Sequence, residues 1–195
     1  MEEKYVSDFL VELGEKLNSS KKDESLGFNI FKVLGVQNKE VILCRFLGEL
    51  LNPQGSHACG SVFLNKFIKN VLNDDITDDI ENANVELEDA TDENRRVDIV
   101  IYTGSKKYPI EVKIWAGDQE KQLSDYYINF FKESKDDVIF YITPDGHEPS
   151  KYSKGKLESN QIKCISFNKI KEWLKQSKEE INNDIVKQIC GQMES

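Results

Sequence analysis

Asp98, Glu111 and Lys113 are ionisable residues that interrupt two neighbouring apolar, β-branched stretches of the sequence. Residues i and i+2 of a strand point to the same face, so Glu111 and Lys113 are predicted to project together while Val112 points into the opposite layer. The short turn between the two stretches predicts that Asp98 lies beside Glu111 across a hairpin. Two adjacent carboxylates repel each other and lose solvation near a core, and a divalent cation relieves both costs.

A cation at this position implies a particular chemistry. Mg²⁺ prefers oxygen ligands from one or two carboxylates together with water, and the backbone carbonyl of Val112 can add a further ligand. The ammonium group of Lys113 then stands next to the metal. There it can orient a water molecule, help to deprotonate it, or stabilise negative charge that develops on a phosphorus centre.

The same residues also have a purely structural interpretation. Asp98 could pair with Arg95 or Arg96 at a strand edge, and Glu111 and Lys113 could be the exposed positions of a half-solvated strand. A Glu-x-Lys sequence taken alone favours this second interpretation. The apolar, β-branched neighbours of Asp98 and Glu111 favour the metal site, because a solvated face is less expected there.

Hydrophobic periodicity places these residues in a mixed α/β arrangement. Helices are predicted at 2–18, 39–51, 61–72, from 116–118 onward, 169–176 and 178–189. Asn38 is the predicted N-cap of the helix at 39–51, and Asp118 is the predicted N-cap of the helix that opens at 116–118. Strands are predicted at 85–88, 96–102, 108–114, 138–142 and 162–167, with a polar loop over 144–157. A strand–helix–strand passage over 108–142 predicts a right-handed crossover between parallel strands, and so a mixed sheet with helices on both faces.

Composition and charge exclude several classes of protein. The chain has 195 residues, a net charge of −9 and no apolar run near the roughly 18 residues of a membrane helix. Its polar, acidic start lacks the pattern of a secretory signal, which predicts a soluble cytoplasmic protein that does not associate with membranes. The four cysteines form no Cys-x-x-Cys pair, which argues against zinc, iron–sulfur and disulfide frameworks.

The negative charge is concentrated in one segment. Residues 74–93 carry ten acids and no Lys or Arg, and the rest of the chain has a net charge of about +1. This acidic segment is interpreted first as a solvated surface connection, part of it leading into the first strand. An acidic recognition element is the alternative.

With these residues the chain resembles the PD-(D/E)xK nuclease superfamily. Asp98 matches the metal-binding Asp of the motif, and Glu111-Val112-Lys113 matches its Glu-x-Lys, while Val97 stands where a Pro often precedes the Asp. Gln122 and Tyr126 match the Gln-x-x-x-Tyr signature of RecB-like members. These two residues are four apart and share one helix face, although Tyr126 is as readily explained as a core residue.

The resemblance extends from about residue 38 to 175, through sequences similar to a bacterial subfamily. It implies that the first core helix lends a Glu to the metal site, for which Glu40 is the candidate. An acid that stabilises the helix N-terminus is the equal alternative for Glu40. His57 is considered as a phosphate contact, or as an ordinary surface residue of a turn.

The resemblance further implies a restriction-endonuclease-like three-layer α/β/α sandwich with a mixed central sheet and extra N-terminal helices. We expect one domain over 1–195, with a helical part at 1–72, a catalytic core at about 83–175 and a C-terminal helix at about 178–190. The implied activity is hydrolysis of phosphodiester bonds with Mg²⁺ or Mn²⁺, and the implied substrate is nucleic acid, with DNA favoured over RNA.

The implied catalytic residues are Asp98, Glu111, Lys113 and Gln122, and the implied metal ligands are Asp98, Glu111, Val112 and Glu40. Expected nucleic-acid contacts are Tyr126, Arg95, Arg96, His57, Lys151 and Lys154. Bacterial defence or DNA processing is the expected setting, and a homodimer is the expected assembly because many nucleases pair to cut two strands. The alternative is a nuclease fold retained as a binding module, or an acidic surface that mimics DNA.

Overall fold

A five-stranded mixed sheet organises the computed structural model, which describes residues 29–35, 39–75, 79–91, 95–132 and 134–194. The strands are β1 (Asn84–Ala90), β2 (Arg96–Tyr102), β3 (Lys107–Val112), β4 (Ile139–Thr143) and β5 (Ile162–Ser166). They lie in the order β1-β2-β3-β4-β5. The first three strands pair antiparallel, and β3, β4 and β5 pair parallel. The predicted hairpin and the predicted parallel crossover are both confirmed.

Seven α-helices occur in the described residues. They are α1 (Ile30–Val33), α2 (Glu40–Leu51), α3 (Val62–Lys66), α4 (Gln122–Phe131), α5 (Lys151–Lys154), α6 (Phe167–Lys178) and α7 (Asp184–Glu194). A π-helical turn (Phe67–Val71) continues α3, and 3₁₀ turns occur at Ile80–Asn82 and Ser159–Gln161. The predicted helix at 2–18 and the predicted N-cap Asn38 lie outside the described residues.

The helices cover both faces of the sheet. On one face, α2, α3, α6 and α7 bury one set of strand residues, which includes Ile99, Ile110, Val112 and Ile142. On the other face, α4 packs on β3 and β4, with Leu123, Tyr126 and Tyr127 against Val100 and Ile139. The architecture is the expected restriction-endonuclease-like α/β/α sandwich. Within the described part of the chain, no helix is both long enough and apolar enough to cross a bilayer.

The predicted start of the helix after β3 is wrong. α4 begins at Gln122, four residues beyond Asp118. The Asp118 carboxylate instead accepts hydrogen bonds from the Tyr141 hydroxyl at 2.7 Å and from the Ser150 backbone N–H at 2.6 Å. These bonds tie the β3–α4 loop to β4 and to the start of α5.

Three other predicted boundaries are also corrected. The helix expected over 61–72 becomes π-helical after Lys66, where the Leu72 N–H bonds the Phe67 carbonyl at 3.0 Å. The expected polar loop contains α5, which Ser150 caps. The last helix begins at Asp184 because the Asn183 side-chain oxygen accepts the N–H groups of the next residues, at 3.1 and 3.2 Å.

Asp74 fastens the β2–β3 hairpin to the helical layer. Its carboxylate accepts hydrogen bonds from the Lys106 ammonium at 2.7 and 2.8 Å and from the Tyr108 hydroxyl at 2.9 Å. Burial by itself would raise the pKa of Asp74, but the bonds from Lys106 and Tyr108 outweigh it and lower that pKa below 3.8. The ionised form of Asp74 therefore stabilises the folded chain.

We expect Asp74→Asn to lower the free energy of unfolding at pH 7 by about 1 kcal/mol, allowing for screening at this half-exposed site. Because the folded-state pKa is depressed, the stabilisation is present above about pH 4 and is lost as the pH falls through the folded-state value. Urea unfolding at pH 7 and at pH 3 measures the difference. Asp75→Asn, at the exposed neighbouring acid, is the control. A deficit that stays equal at both pH values would contradict this role for the Asp74 charge.

Candidate active site

The Asp98 carboxylate lies where the β2–β3 pairing ends. The backbone register of the two strands runs to Ile99 and Ile110. Beyond that point, Asp98 Oδ2 accepts a hydrogen bond from the Val112 backbone N–H at 2.8 Å. Burial raises the pKa of Asp98, although this hydrogen bond and the Lys113 charge act in the opposite direction. A half-buried carboxylate therefore lies directly beside the Glu-x-Lys segment.

Glu111 is the most deeply buried acid of this group, with 1 % of its surface exposed. Its Oε1 atom lies 2.7 Å from both the Lys113 Nζ and the Gln122 Nε2. Its Oε2 atom is buried and, when both carboxyl groups are ionised, has no hydrogen-bond partner among the described residues. A protonated Glu111 is close enough to Asp98 to share a hydrogen bond with it. Burial, and then the neighbouring Asp98 charge, raise the pKa of Glu111 to about 8. An unpartnered buried oxygen of this kind is unusual and needs a physical explanation.

Lys113 lies immediately beyond β3, and its N–H bonds the Ile142 carbonyl at 2.8 Å. This bond extends the parallel pairing by one residue, so Lys113 and Glu111 project together as predicted. The Lys113 side chain is 10 % exposed. Burial opposes its charge, but the Glu111 charge outweighs burial and raises the pKa of Lys113. Val112 is buried in the core of the opposite face, also as predicted.

Gln122 and Tyr126 form a buried chain of hydrogen bonds that ends at Glu111. The Gln122 Nε2 donates to Glu111 Oε1 at 2.7 Å and to the Tyr126 hydroxyl oxygen at 2.8 Å. The Tyr126 hydroxyl donates to the Arg96 carbonyl at 2.7 Å. Tyr126 is 1 % exposed, so a nucleic-acid strand bound on the protein surface would not contact its ring. Its geometry is that of a residue that orients Gln122, and through it Glu111.

Glu40 connects the start of α2 to the segment that follows Lys113. Its Oε1 atom accepts hydrogen bonds from the backbone N–H groups of Ile114, Trp115 and Ala116, at 2.7, 2.7 and 2.9 Å. Its charge is near enough to act on the pKa values of Asp98 and Glu111. Glu40 is also the first residue of α2, where an acid is favourable. The Glu40 carboxylate therefore holds the backbone at the start of the β3–α4 loop. This contact comes in addition to the two roles considered from the sequence, a metal ligand and an acid that stabilises the helix N-terminus.

Asp98 opens onto a cleft of about 250 Å³. The cleft is lined by residues of α2, β1 and β2, namely Val41, Cys44, Arg45, Leu87, Glu88 and Asp98. Cys44 is buried there, as its apolar surroundings in the sequence predict, and burial raises the pKa of its thiol. The sequence interpretation missed Arg45. Its spacing of four from Val41 on a helix, which places both on one face, is the signal that could have identified it.

Arg95 and Arg96, near the hairpin, pair with acids other than Asp98. Arg95 Nε lies 2.9 Å from Asp125 Oδ2, and Arg96 Nη1 lies 3.2 Å from Glu88 Oε2. The interpretation of Asp98 as the ion-pair partner of either arginine is therefore wrong. The Arg96 side chain is 67 % exposed, and it remains a proposed nucleic-acid contact together with Arg95.

His57 has a structural role in its turn. Its Nδ1 accepts a hydrogen bond from the Cys59 N–H at 3.0 Å, and its Nε2 lies 2.9 Å from the Asn52 carbonyl. Its side chain is 5 % exposed and packs edge-on against Phe63. The interpretation as an ordinary surface residue is wrong, and both ring nitrogens are already used within the chain.

Lys151 and Lys154 belong to α5. Lys151 is exposed, and the Lys154 Nζ lies 3.7 Å from Glu148 Oε2. Both remain proposed nucleic-acid contacts.

The donors at this site fit a divalent cation that prefers oxygen. In the described part of the chain the ionised Glu111 Oε2 lacks a partner, and the Asp98 carboxylate lies beside Glu111. A cation between them would offset both the burial and the repulsion from Asp98 that raise the pKa of Glu111. No group of three or more His, Cys, Asp or Glu suited to a metal occurs in the described ranges. Two carboxylates completed by a carbonyl and water are ligands typical of Mg²⁺ rather than of zinc.

Comparison with known families gives one match. The family model described as PD-(D/E)XK nuclease superfamily matches residues 28–192. Searches of curated proteins and of solved structures each returned no significant match.

Proposed function

The chain belongs to the PD-(D/E)XK nuclease superfamily, and we propose that it hydrolyses phosphodiester bonds of DNA with Mg²⁺ or Mn²⁺ as cofactor. The observation that carries the proposal is the pair of carboxylates at the end of β2 and β3. Glu111 Oε2 is buried beside Asp98 and, when ionised, has no partner among the residues that the structure describes, and Lys113 lies 2.7 Å from the other oxygen of Glu111. This family generally uses divalent metal ions and acts on nucleic acid.

The proposed ligands are Asp98, Glu111 and the Val112 carbonyl, with Glu40 as a further acid near the site. When bound, the cation would lower the pKa of a water molecule and stabilise charge on the phosphate. Lys113 donates a hydrogen bond from its ammonium group to the attacking water or to a phosphate oxygen. Gln122 holds Glu111 in place through their hydrogen bond.

Cleavage of plasmid and linear DNA by the purified chain, with Mg²⁺, with Mn²⁺ and with EDTA, tests this function directly. We expect cleavage with at least one metal and none in EDTA. An RNA of the same sequence in a parallel reaction tests the preference for DNA. Intact DNA with every metal and every form of substrate would contradict the proposal.

Tyr126→Phe is expected to reduce kcat/KM for cleavage by roughly 10-fold, in the range seen when a group that orients a metal ligand is removed. The variant loses the hydroxyl that fixes Gln122, so Glu111 is held less firmly. Tyr127→Phe is a matched control. The Tyr127 hydroxyl lies 3.1 and 2.9 Å from the carbonyls of Ser134 and Asp137, away from Glu111. We expect both variants to lose similar stability by thermal unfolding, and only Tyr126→Phe to lose activity. Equal activity loss in the two would show that the effect is one of stability alone.

The acidic segment does not favour the alternative of a DNA-mimicking surface. Several of its described acids are bonded to the chain itself: Asp74 to Lys106, Glu88 to Arg96, and Asp89 to the Tyr102 hydroxyl at 2.5 Å. Glu86, Glu88 and Asp89 belong to β1. Asp74 and Glu88 are thus paired with cations of the chain itself, although Glu86 and Glu88 stay exposed on β1.

A further inference from the structure

Trp115 is an exposed aromatic residue two positions beyond Lys113. Half of its surface is accessible to solvent. Two peptide units separate its Cα from that of Lys113, so the two atoms lie within roughly 7.6 Å of each other. The Trp115 N–H bonds Glu40 Oε1 at 2.7 Å, between the similar bonds of Ile114 and Ala116. The backbone that carries this indole is therefore held in a fixed position next to the candidate active site.

Trp115 forms one wall of a groove that we call the Trp115 groove, with a volume of about 240 Å³. Its apolar lining comes from α1, α2, the β3–α4 loop, α6 and α7, and includes Phe31, Ile42, Ile114, Phe167 and Met193. Pockets for drug-sized ligands usually measure roughly 300–1,000 Å³. The Trp115 groove is smaller, and its size suits a single flat ring system.

The charge of the Trp115 groove is opposite to that of the whole chain. Lys32 and Lys171 line it, and none of the described residues that line it is an Asp or a Glu. The chain as a whole carries a net charge of −9. A small apolar groove with lysines at its walls favours a ligand that combines a flat ring with negative charge. A nucleotide has both properties.

We propose that Trp115 stacks on an unpaired nucleobase of a DNA strand whose adjacent phosphodiester lies at the candidate active site. This inference rests on the proposed function, because it assumes that the substrate is DNA. It adds that the DNA is single-stranded where it contacts Trp115. Stacking on an aromatic side chain requires a base with a free face, whereas bases inside a duplex are already stacked and paired. Lys32, which is exposed, meets a neighbouring phosphate.

The chain contains a native fluorescent reporter for this contact. Its second tryptophan, Trp173, is 1 % exposed and donates its Nε1–H to the Phe63 carbonyl at 2.9 Å. A ligand in the Trp115 groove therefore changes the emission of Trp115 and leaves that of Trp173 nearly constant. Binding is measured in EDTA, which separates it from cleavage.

We expect a single-stranded oligodeoxynucleotide to quench tryptophan emission, and the same sequence in a blunt duplex to quench it much less. Trp115→Ala is expected to weaken single-strand binding about 5- to 150-fold by fluorescence anisotropy of a labelled oligonucleotide, which corresponds to the loss of one base stack. Trp115→Phe keeps an aromatic face and should recover part of the affinity. Ile128→Ala removes an apolar side chain of similar exposure, 59 %, from α4 on the other face of the sheet. It should bind as the wild type does.

Several results would overturn the inference. Two of them concern DNA: equal quenching of tryptophan emission by single-stranded and duplex DNA, and unchanged affinity of Trp115→Ala for the single strand. Two concern the free chain: no quenching of Trp115 emission by acrylamide, and emission that changes with protein concentration in the absence of DNA. The last result would assign the groove to a second copy of the chain. Cleavage of DNA without any change in Trp115 emission would refute the stacking proposal but not the catalytic one. Quenching without cleavage in any metal would instead refute the catalytic proposal and retain base binding.

Discussion

Glu111→Gln is expected to reduce DNA cleavage by at least roughly 10³-fold while leaving the chain folded. The substitution preserves the shape of the side chain and an oxygen that accepts from Gln122. It removes the carboxylate whose unpartnered Oε2 we assign to the cation. Cleavage rates with saturating Mn²⁺ measure the first effect, and calorimetric titration with Mn²⁺ should show weaker metal binding. Glu86→Gln, at a neighbouring acid on the edge strand β1, should leave both measurements unchanged.

The same variant has a second expected signature in EDTA. The folded-state pKa of Glu111 is about 8, against an ordinary value of 4.5. The folded chain therefore holds a proton that the unfolded chain releases, and the contribution of Glu111 to stability declines as the pH rises from about 4.5 to 8. Glu111→Gln does not titrate, so its melting temperature relative to the wild type should increase over that interval. A constant difference between pH 5 and pH 8 would contradict the burial of this carboxyl group.

Lys113→Met is expected to lower the cleavage rate by roughly 10²–10⁴-fold, which is typical for the loss of a group that positions or transfers a proton. Methionine retains most of the apolar stem and removes the ammonium group. Because a positive charge next to the cation disappears, Mn²⁺ should bind at least as tightly as it does to the wild type. Lys113→Met and Glu111→Gln are thus expected to differ in metal affinity while both lose activity.

Lys175→Met, at an exposed lysine of α6, is the control for general effects of charge. It should cleave DNA at the wild-type rate. If Lys113→Met remained active with unchanged metal affinity, Lys113 would serve only as the ion-pair partner of Glu111. The role of its ammonium group in hydrolysis would then have to be abandoned.

The strands were the elements most readily predicted from the sequence. β2 has the predicted bounds because its residues are β-branched or aromatic almost throughout, and the i, i+2 rule placed Glu111 and Lys113 together. The fold and the family are likewise as predicted. These features depend on local pattern and strand pairing, which a single sequence records directly.

The features that were missed depend on contacts between distant residues. The beginning of α4 could not be located because Asp118 bonds Ser150, 32 residues away, instead of capping a helix. Helical periodicity placed Tyr126 on the face of Gln122, but it carries no information on how deeply that face is buried. His57 packs against Phe63 in its own turn, and its carbonyl accepts a hydrogen bond from the Asn183 side chain, 126 residues away, which no local pattern could indicate.

The segment between β3 and α4 is fastened near both of its ends. Glu40 accepts the N–H groups of Ile114, Trp115 and Ala116 at one end, and Asp118 bonds Tyr141 and Ser150 at the other. Adding or deleting one residue between these anchors would break at least one of them. Engineering of substrate preference at this segment should therefore exchange side chains at constant length.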